Sequence, residues 1–239
     1  MTTSLALSLK EGTQKAHTMA ENMGFIKCFL KGVVNQKAYS KYVANFYFVY
    51  TALEAALTEH RDHAVVGKLY YPELWRKASL EQDLAYFCGS NWATTIAPSD
   101  ACQIYVRRIQ ELAANDPVLL IAHTYTRYIG DLSGGQILKK IARRAMNLPE
   151  GMGTAFYDFE LIKHEGAFKK KYRAMLDELN LDEATITRIV DEANYAFKLN
   201  MELFRELEGN WVLSMLRLTW NSLRSQLDRK SGSRPAAAS

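Results

Sequence analysis

The chain has 239 residues, of which 48% are hydrophobic and 23% charged, a composition typical of a folded globular protein and unlike that of a disordered one. The formal net charge of +4 is too small to demand nucleic acid as a partner and favours acidic partners or anionic ligands. Three widely separated cysteines show neither metal-site spacing nor a disulfide framework, which favours a reducing compartment.

Helical periodicity dominates the sequence, and no stretch alternates with the period of two that is typical of strands. We predict an all-α, single-domain fold over residues 1–228 and a disordered tail at 229–239. The predicted helices cover residues 4–22, 25–31, 36–60, 72–88, 99–115, 117–146, 162–178 and 182–207, with a last helix at 210–227. The first twelve residues lack the apolar core of a signal peptide. The apolar stretch at 211–220 is too short for a membrane span, so we expect a soluble protein.

The first predicted helix carries Lys10, His17 and Glu21 on one flank, at spacings of seven and four residues. A neutral imidazole is a good iron ligand when its second ring nitrogen has a partner such as Glu21. Lys10, two turns away, is suited to a carboxylate at the rim of a bound ligand. The alternative is a histidine packed at a helix interface between two solvated charges.

The predicted helix at 117–146 contains Gly130, Gly134 and Gly135, each of which costs up to ~1 kcal/mol against alanine. Gly130 and Gly134 share a face, so a flat ligand can approach the backbone there, and the helix is expected to kink. Asp131 on the flank is suited to holding an ordered water that delivers protons. Arg127 and Tyr125 either join that polar network or grip ligand carboxylates. The alternative is a close crossing of two helices through small residues.

Several segments together resemble the heme oxygenase family over about residues 5–207. They are HTMAEN at 17–22, YYPEL at 70–74, LEQDL at 80–84, HTYTRYIGDLSGGQ at 123–136 and DEAN at 191–194, the last followed by Ala196, Phe197, Asn200 and Phe204. The resemblance implies a helical fold in which haem b is sandwiched between a proximal helix and a kinked distal helix. It also implies that haem, as both prosthetic group and substrate, is opened at its alpha-meso carbon with O2 and externally supplied electrons. The products are biliverdin, carbon monoxide and ferrous iron.

The resemblance also implies roles for individual residues. His17 is expected to ligate the haem iron, with Glu21 as its partner. Gly130 and Gly134 are expected to lie over the haem beside Asp131, the anchor of the distal water network. Basic and polar positions complete the site: Arg127 and Tyr125 on the distal helix, and Lys10, Lys169 and Arg173 at the haem propionates. Lys169 and Arg173 equally fit a solvated or partner-binding charge cluster.

FIKCFLKG at 25–32 and ELEGN at 206–210 are similar to cyanobacterial and algal members of the family. Such members draw electrons from ferredoxin and serve bilin pigment synthesis, which implies a cytoplasmic or plastid-stromal enzyme and a downstream bilin reductase as a partner. A docking surface for acidic ferredoxin is expected among basic residues that equally fit ordinary solubilising charge: Lys139, Lys140, Arg143, Arg144, Lys169, Lys170 and Lys171.

Three competing hypotheses remain at this stage. The first is a haem-binding sensor or buffer without turnover, the second a related helical enzyme that uses no haem, and the third a purely structural helical module. His60 and His63 are too few for a metal site, and His123 is interpreted as structural. An aromatic run is interpreted mainly as core, with the alternative that some of its members line a pocket: Tyr42, Phe46, Tyr47, Phe48 and Tyr50.

Overall fold

The computed structural model describes the backbone of residues 4–231 and the side chains of residues 4–208. Within these residues the chain forms helices and no strand, as the sequence predicts. The α-helices are α1 (Leu5–Gly12), α2 (Gln14–Glu21), α3 (Gly24–Leu30), α4 (Gln36–Glu59), α5 (Lys77–Cys88), α6 (Trp92–Thr95), α7 (Asp100–Asn115), α8 (Leu120–Thr124), α9 (Gly130–Met146), α10 (Glu165–Asp177) and α11 (Glu183–Ser231).

Two long helices organise the molecule. Helix α4 packs against α5 and α7 and buries large aromatic side chains, among them Tyr39, Phe46 and Tyr50. Helix α11 contacts α1, α2 and α3 as well as α4, α7 and α8. The segment that carries His17 and the segment that leads into the glycine cluster therefore rest on the same helix, α11.

The predicted first helix at 4–22 is in fact two helices. Ser4 caps α1 by accepting from the Leu7 amide at 3.1 Å, which is the favoured chemistry at a helix start. The chain departs from helical geometry at the buried residue Thr13 (φ −104°, ψ 0°), whose hydroxyl donates to the Leu9 carbonyl at 2.6 Å. This local hydrogen bond competes with regular helix geometry, so α2 begins as a separate helix after Thr13, with His17 in its second turn.

The helix predicted at 117–146 is interrupted just before its glycines. It comprises a 3-10 turn (Pro117–Leu119), α8, a π-helical turn (Tyr125–Ile129) and α9. A π-helical turn inserts an extra residue into the helical ladder and is frequent at functional sites. The irregularity in this helix therefore lies at Tyr125–Ile129, before the glycines, whereas the glycines themselves lie in regular α-helix.

Two further helix starts differ from the predictions. The segment predicted as one helix at 72–88 contains a 3-10 turn (Pro72–Leu74), and α5 begins only at Lys77, because the extended backbone of Trp75 separates the two. Helix α10 begins at Glu165, three residues later than predicted.

The two helices predicted at 182–207 and 210–227 are one continuous helix, α11, which reaches Ser231. Gly209 alone does not end it, since a single glycine costs only ~1 kcal/mol in a helix. The remainder of the predicted tail, 232–239, lies outside the described residues. Within the described chain, no helix combines the length and apolar character needed to cross a membrane.

Candidate active site

A buried polar network surrounds the carboxylate of Asp131 at the start of α9. Arg127, one turn earlier, donates from Nη2 to Asp131 Oδ1 at 3.2 Å and from Nε to the Tyr50 hydroxyl at 3.1 Å. Tyr50 in turn donates to Asp131 Oδ2. Asn200 Oδ1 on α11 accepts from Arg127 Nη1 at 2.6 Å. Both carboxylate oxygens are thus held by donors from two different helices.

Burial and the hydrogen bonds of the network together shift the pKa values of Asp131 and Tyr50. Burial raises the pKa of Asp131, whereas the Arg127 charge and the Tyr50 hydrogen bond act to lower it. Burial also raises the pKa of Tyr50 well above its ordinary value, so its hydroxyl keeps the proton that it donates. The Arg127 guanidinium lies over the Phe46 ring at 4.1 Å, so it is fixed in place by stacking as well as by hydrogen bonds. Of the two roles predicted for Arg127, the structure shows membership of the polar network; its guanidinium is buried and not exposed towards ligand carboxylates.

The two predicted glycines lie beside this carboxylate and face open space. A Cβ atom at Gly130 or Gly134 would meet no atom of the described chain within 4 Å. Gly135 differs, because its Cβ would lie 3.3 Å from Tyr157 Cδ1. Gly135 is therefore a packing glycine, whereas Gly130 and Gly134 leave a bare backbone surface next to Asp131, which is 10% exposed.

His17 lies on α2 with an accessible imidazole. Its side chain is 56% exposed, and Nδ1 lies 3.7 Å from Glu21 Oε1, one turn later. The Phe197 ring of α11 approaches the imidazole edge-on, with ring centroids 5.7 Å apart. The imidazole therefore has a carboxylate beside one nitrogen, in agreement with the predicted pairing, while much of its surface remains open to a ligand.

The basic residues predicted to meet the haem propionates lie on two helices, Lys10 on α1 and Lys169 and Arg173 on α10. Lys169 lies against the start of α9, with Nζ 3.4 Å from both the Leu132 carbonyl and the Ser133 hydroxyl. Arg173 is exposed, and its charge acts on Tyr125, whose pKa is raised by burial against that influence. Lys10 is exposed at the end of α1. These contacts place Lys169 and Arg173 near α9 and the π-helical turn respectively.

Two partners of the network, Tyr50 and Asn200, were not predicted as site residues. Tyr50 was assigned to the core because it belongs to an aromatic run, and no spacing pattern links Asn200 to Arg127. The only sequence signal for the network is the spacing of four between Arg127 and Asp131. Their partners are brought in by α4 and α11, 77 and 73 residues away.

Three further histidines have side-chain partners within the protein. His123 is fully buried and lies 2.9 Å from Glu192, which also binds Arg108, so it is structural as predicted. His60 Nε2 lies 2.8 Å from the Ala113 carbonyl. His63 Nδ1 accepts from two backbone amides at 3.2 Å.

Fold and site together define a class: an all-helical protein with an accessible imidazole on one helix and a buried, hydrogen-bonded carboxylate beside bare glycines on another. Comparison with known proteins agrees with this class. The family model described as heme oxygenase matches residues 3–206. The chain is 57% identical to heme oxygenase 1 of Nostoc sp. over 93% of this chain and 94% of that protein. It is 53% identical to heme oxygenase of Rhodella violacea over 88% of this chain and 89% of that protein.

Solved structures agree with the sequence comparisons. Heme oxygenase-1 from the cyanobacterium Synechocystis sp., in complex with heme, superposes with a TM-score of 0.88 at 55% identity, covering 92% of this chain and all of that one. Heme oxygenase from Leptospira interrogans gives a TM-score of 0.83 at 43% identity, covering 85% of this chain and all of that one. The chain belongs to the heme oxygenase family. Its activity is the degradation of haem to biliverdin, and haem is both its substrate and its cofactor.

Proposed function

We propose that His17 ligates the haem iron, that the macrocycle lies against the bare backbone of Gly130 and Gly134, and that the enzyme opens the ring at its alpha-meso carbon. Dioxygen and external electrons are consumed, and carbon monoxide and ferrous iron are released with biliverdin. One observation carries the proposal: the hydrogen-bonded Asp131 carboxylate lies beside two glycines, Gly130 and Gly134, whose missing side chains leave open space.

The residues present fit haem in shape and in chemistry. The open faces of Gly130 and Gly134 suit a flat ring, since a side chain at either position would occupy that space. The accessible imidazole of His17 suits an iron atom, and the Glu21 carboxylate beside Nδ1 suits the group that orients the imidazole. The cations Lys10, Lys169 and Arg173, with the Tyr125 hydroxyl, suit the two propionate groups.

Haem supplies the redox-active iron and the ring carbon that is oxidised. The protein supplies the groups that bind water and transfer protons. Arg127 and Tyr50 fix the orientation of the Asp131 carboxylate, whose oxygens retain lone pairs that can accept hydrogen bonds from water. A water held there relays protons, and burial of Asp131 brings its pKa closer to the working pH than that of an exposed carboxyl.

We propose further that a small acidic electron-transfer protein, ferredoxin, supplies the electrons. Net positive charge and exposed cations on α9 support this donor, since opposite charges speed association. The similarity to cyanobacterial and red-algal relatives supports a role in bilin pigment synthesis, with a bilin reductase consuming the product. The corresponding compartment is the cytoplasm of a cyanobacterium or a plastid stroma.

The test is a spectroscopic turnover assay. Hemin is added to the purified protein, followed by ferredoxin, ferredoxin reductase and NADPH in air. Loss of the Soret band with growth of a biliverdin band, carbon monoxide trapped alongside and a single alpha isomer on chromatography are the expected results. A stable complex that is reduced without ring opening would instead indicate a haem sensor or buffer. Turnover with ascorbate but not with ferredoxin would overturn the donor assignment alone.

A further inference from the structure

The segment that carries His17 is held along one stripe of α11. Five α11 residues repeat at spacings of four, three, seven and four, so they lie on one face of that helix: Val190, Asn194, Phe197, Phe204 and Glu208. Each has a contact in α1, α2 or α3, from Gly12 at one end to Phe25 at the other. A single helix thus anchors the whole segment.

Helix α2 depends on these anchors because it has little packing of its own. Among its eight residues only Ala20 is buried, and its N-cap residue Thr13 makes no side-chain capping bond. The anchors lie at both ends. Before α2, Asn194 Nδ2 donates to the Gly12 carbonyl at 3.0 Å. A Cβ at Gly12 would come within 2.5 Å of Val190 Cγ1, so glycine permits this close approach.

The anchor after α2 is the carboxylate of Glu208. Helix α3 begins at Gly24, and its N-cap residue Met23 provides no side-chain cap. Glu208 Oε1 instead accepts from the Phe25 amide at 2.7 Å, across 183 residues of sequence. A negative charge at a helix N-terminus satisfies an otherwise unpaired amide and interacts favourably with the helix dipole. The Phe25 and Phe204 rings stack one turn away, with centroids 6.0 Å apart.

We propose that Glu208 is a positioning residue for the haem ligand: by capping α3 from α11, it fixes the end of the segment that presents His17 to the iron. Glu208 acts through the backbone of Phe25 and does not contact the imidazole itself. The inference rests on the proposed role of His17 as the iron ligand. Without the cap, the link between α2 and α3 loosens and the imidazole is presented in a wider range of orientations.

The test compares three variants of the full chain. Glu208→Ala removes the cap, and Glu208→Gln keeps an amide oxygen that accepts from the Phe25 amide. Glu202→Ala removes another glutamate of the same helix, one that pairs with Arg205. Hydrogen exchange is measured on the haem-free protein. We expect faster exchange within residues 14–30 for Glu208→Ala, partial protection for Glu208→Gln and the parental pattern for Glu202→Ala.

A second readout reports on the iron ligand. Transfer of hemin to apomyoglobin gives the rate of haem loss, and the iron–imidazole stretch in resonance Raman spectra reports the orientation of the ligand. We expect Glu208→Ala to lose haem about threefold to tenfold faster, as for the loss of a helix cap, with a broadened iron–imidazole band. Parental exchange, haem loss and band shape in this variant would overturn the inference.

Two further arms keep the result interpretable. A Cβ at Gly24 would lie 3.1 Å from Glu208 Oε1, so Gly24→Ala displaces the same carboxylate without removing it. If Glu208→Ala does not fold, Gly24→Ala takes its place in the test. If Glu208→Ala does fold, adding Gly24→Ala to it is expected to cause no further change. His17→Ala separates the two proposals. If it keeps the imidazole band, the assignment of His17 fails; if it loses the band while Glu208→Ala matches the parent, only the role of Glu208 fails.

Discussion

At the scale of single residues, the chemistry of Asp131 depends on the two donors that hold it. The Tyr50 hydroxyl is the contact from α4, and it favours the ionised carboxylate. Because hydrogen bonds to a charged form lower a carboxyl pKa, loss of this donor raises the pKa of Asp131 further.

Tyr50→Phe therefore shifts the acid limb of the pH profile upward. If turnover needs the ionised carboxylate, activity falls as pH falls through the Asp131 pKa, and this fall begins at a higher pH in the variant. The measurement is biliverdin yield per hemin across the pH range in the parent and Tyr50→Phe. Coincident profiles would show that Tyr50 does not act through Asp131.

Removing the carboxylate has a different expected result. Asp131→Ala retains hemin and the imidazole band, because His17 is on another helix, but biliverdin yield falls by a factor on the order of 100, the usual size of a proton-transfer contribution. Quantifying biliverdin by absorption after one equivalent of hemin checks this. A normal yield would remove Asp131 from the mechanism.

At the scale of the helix, replacing the glycines of α9 has opposite expected effects on helix stability and on hemin binding. Alanine at Gly130 or Gly134 meets nothing in the protein, so each haem-free variant gains up to ~1 kcal/mol of helix stability. The same methyl group occupies the surface assigned to the macrocycle, so hemin affinity and biliverdin yield fall.

Thermal unfolding of the haem-free variants and hemin titration measure these two effects separately. Gly166→Ala on α10 is the matched control, because its Cβ also meets nothing, and it should gain stability without losing hemin affinity. Gly135→Ala gains less stability, because Tyr157 must shift. Unchanged hemin affinity in Gly134→Ala would show that this glycine does not face the ring.

The start of α5 is an element held by a distant carboxylate. Arg76 and Lys77 donate their backbone amides to Glu54 Oε1 of α4, at 2.5 and 3.2 Å. Burial raises the pKa of Glu54 from 4.5 to about 7, although the Arg76 and Lys77 amides and charges lower it. Since the folded state binds this proton more tightly than the unfolded chain does, the contribution to stability is largest at low pH and is lost as pH rises towards about 7.

Glu54→Gln keeps the accepting oxygen and removes the titration. We expect the parent to lose stability relative to Glu54→Gln between about pH 5 and pH 8, as measured by urea unfolding at both values. Glu59→Gln, at an exposed position of the same helix, should show no such change. A parent-to-variant difference that is constant with pH would mean that Glu54 titrates normally in the folded protein.

The Glu54 carboxylate illustrates which features of the fold the sequence predicts and which it does not. Local signals predicted most helices, and the glycine cluster and the Arg127–Asp131 spacing located the site. The late start of α5 was missed because its cap comes from Glu54, 22 residues earlier. The break at Thr13 and the roles of Tyr50 and Asn200 also depend on contacts between distant segments, which periodicity does not encode.

At the scale of the whole molecule, the formal charge of +4 raises a question about the electron donor. Its association with the enzyme depends either on the overall charge or on the charges of one surface. The structure narrows the predicted docking set. Lys139 is half-buried and paired with Asp158, and Lys169 reaches back to α9. Lys140 and Arg144 are exposed on one face of α9, with Ile137, 60% exposed, one turn before Lys140. This face combines an exposed apolar side chain with cations, as protein docking surfaces often do.

Reversing Lys140 and Arg144 to glutamate lowers the formal charge by four, to zero, and so does the matched control that reverses the exposed Lys37 and Lys41 of α4. If the α9 face docks an acidic ferredoxin, the first variant slows ferredoxin-driven turnover about tenfold or more at low salt and loses its dependence on ionic strength. The α4 control changes little, and ascorbate-driven turnover is the same in all three proteins. Equal slowing of both variants would show that the donor responds to overall charge, since the two differ only in where the four charges are removed.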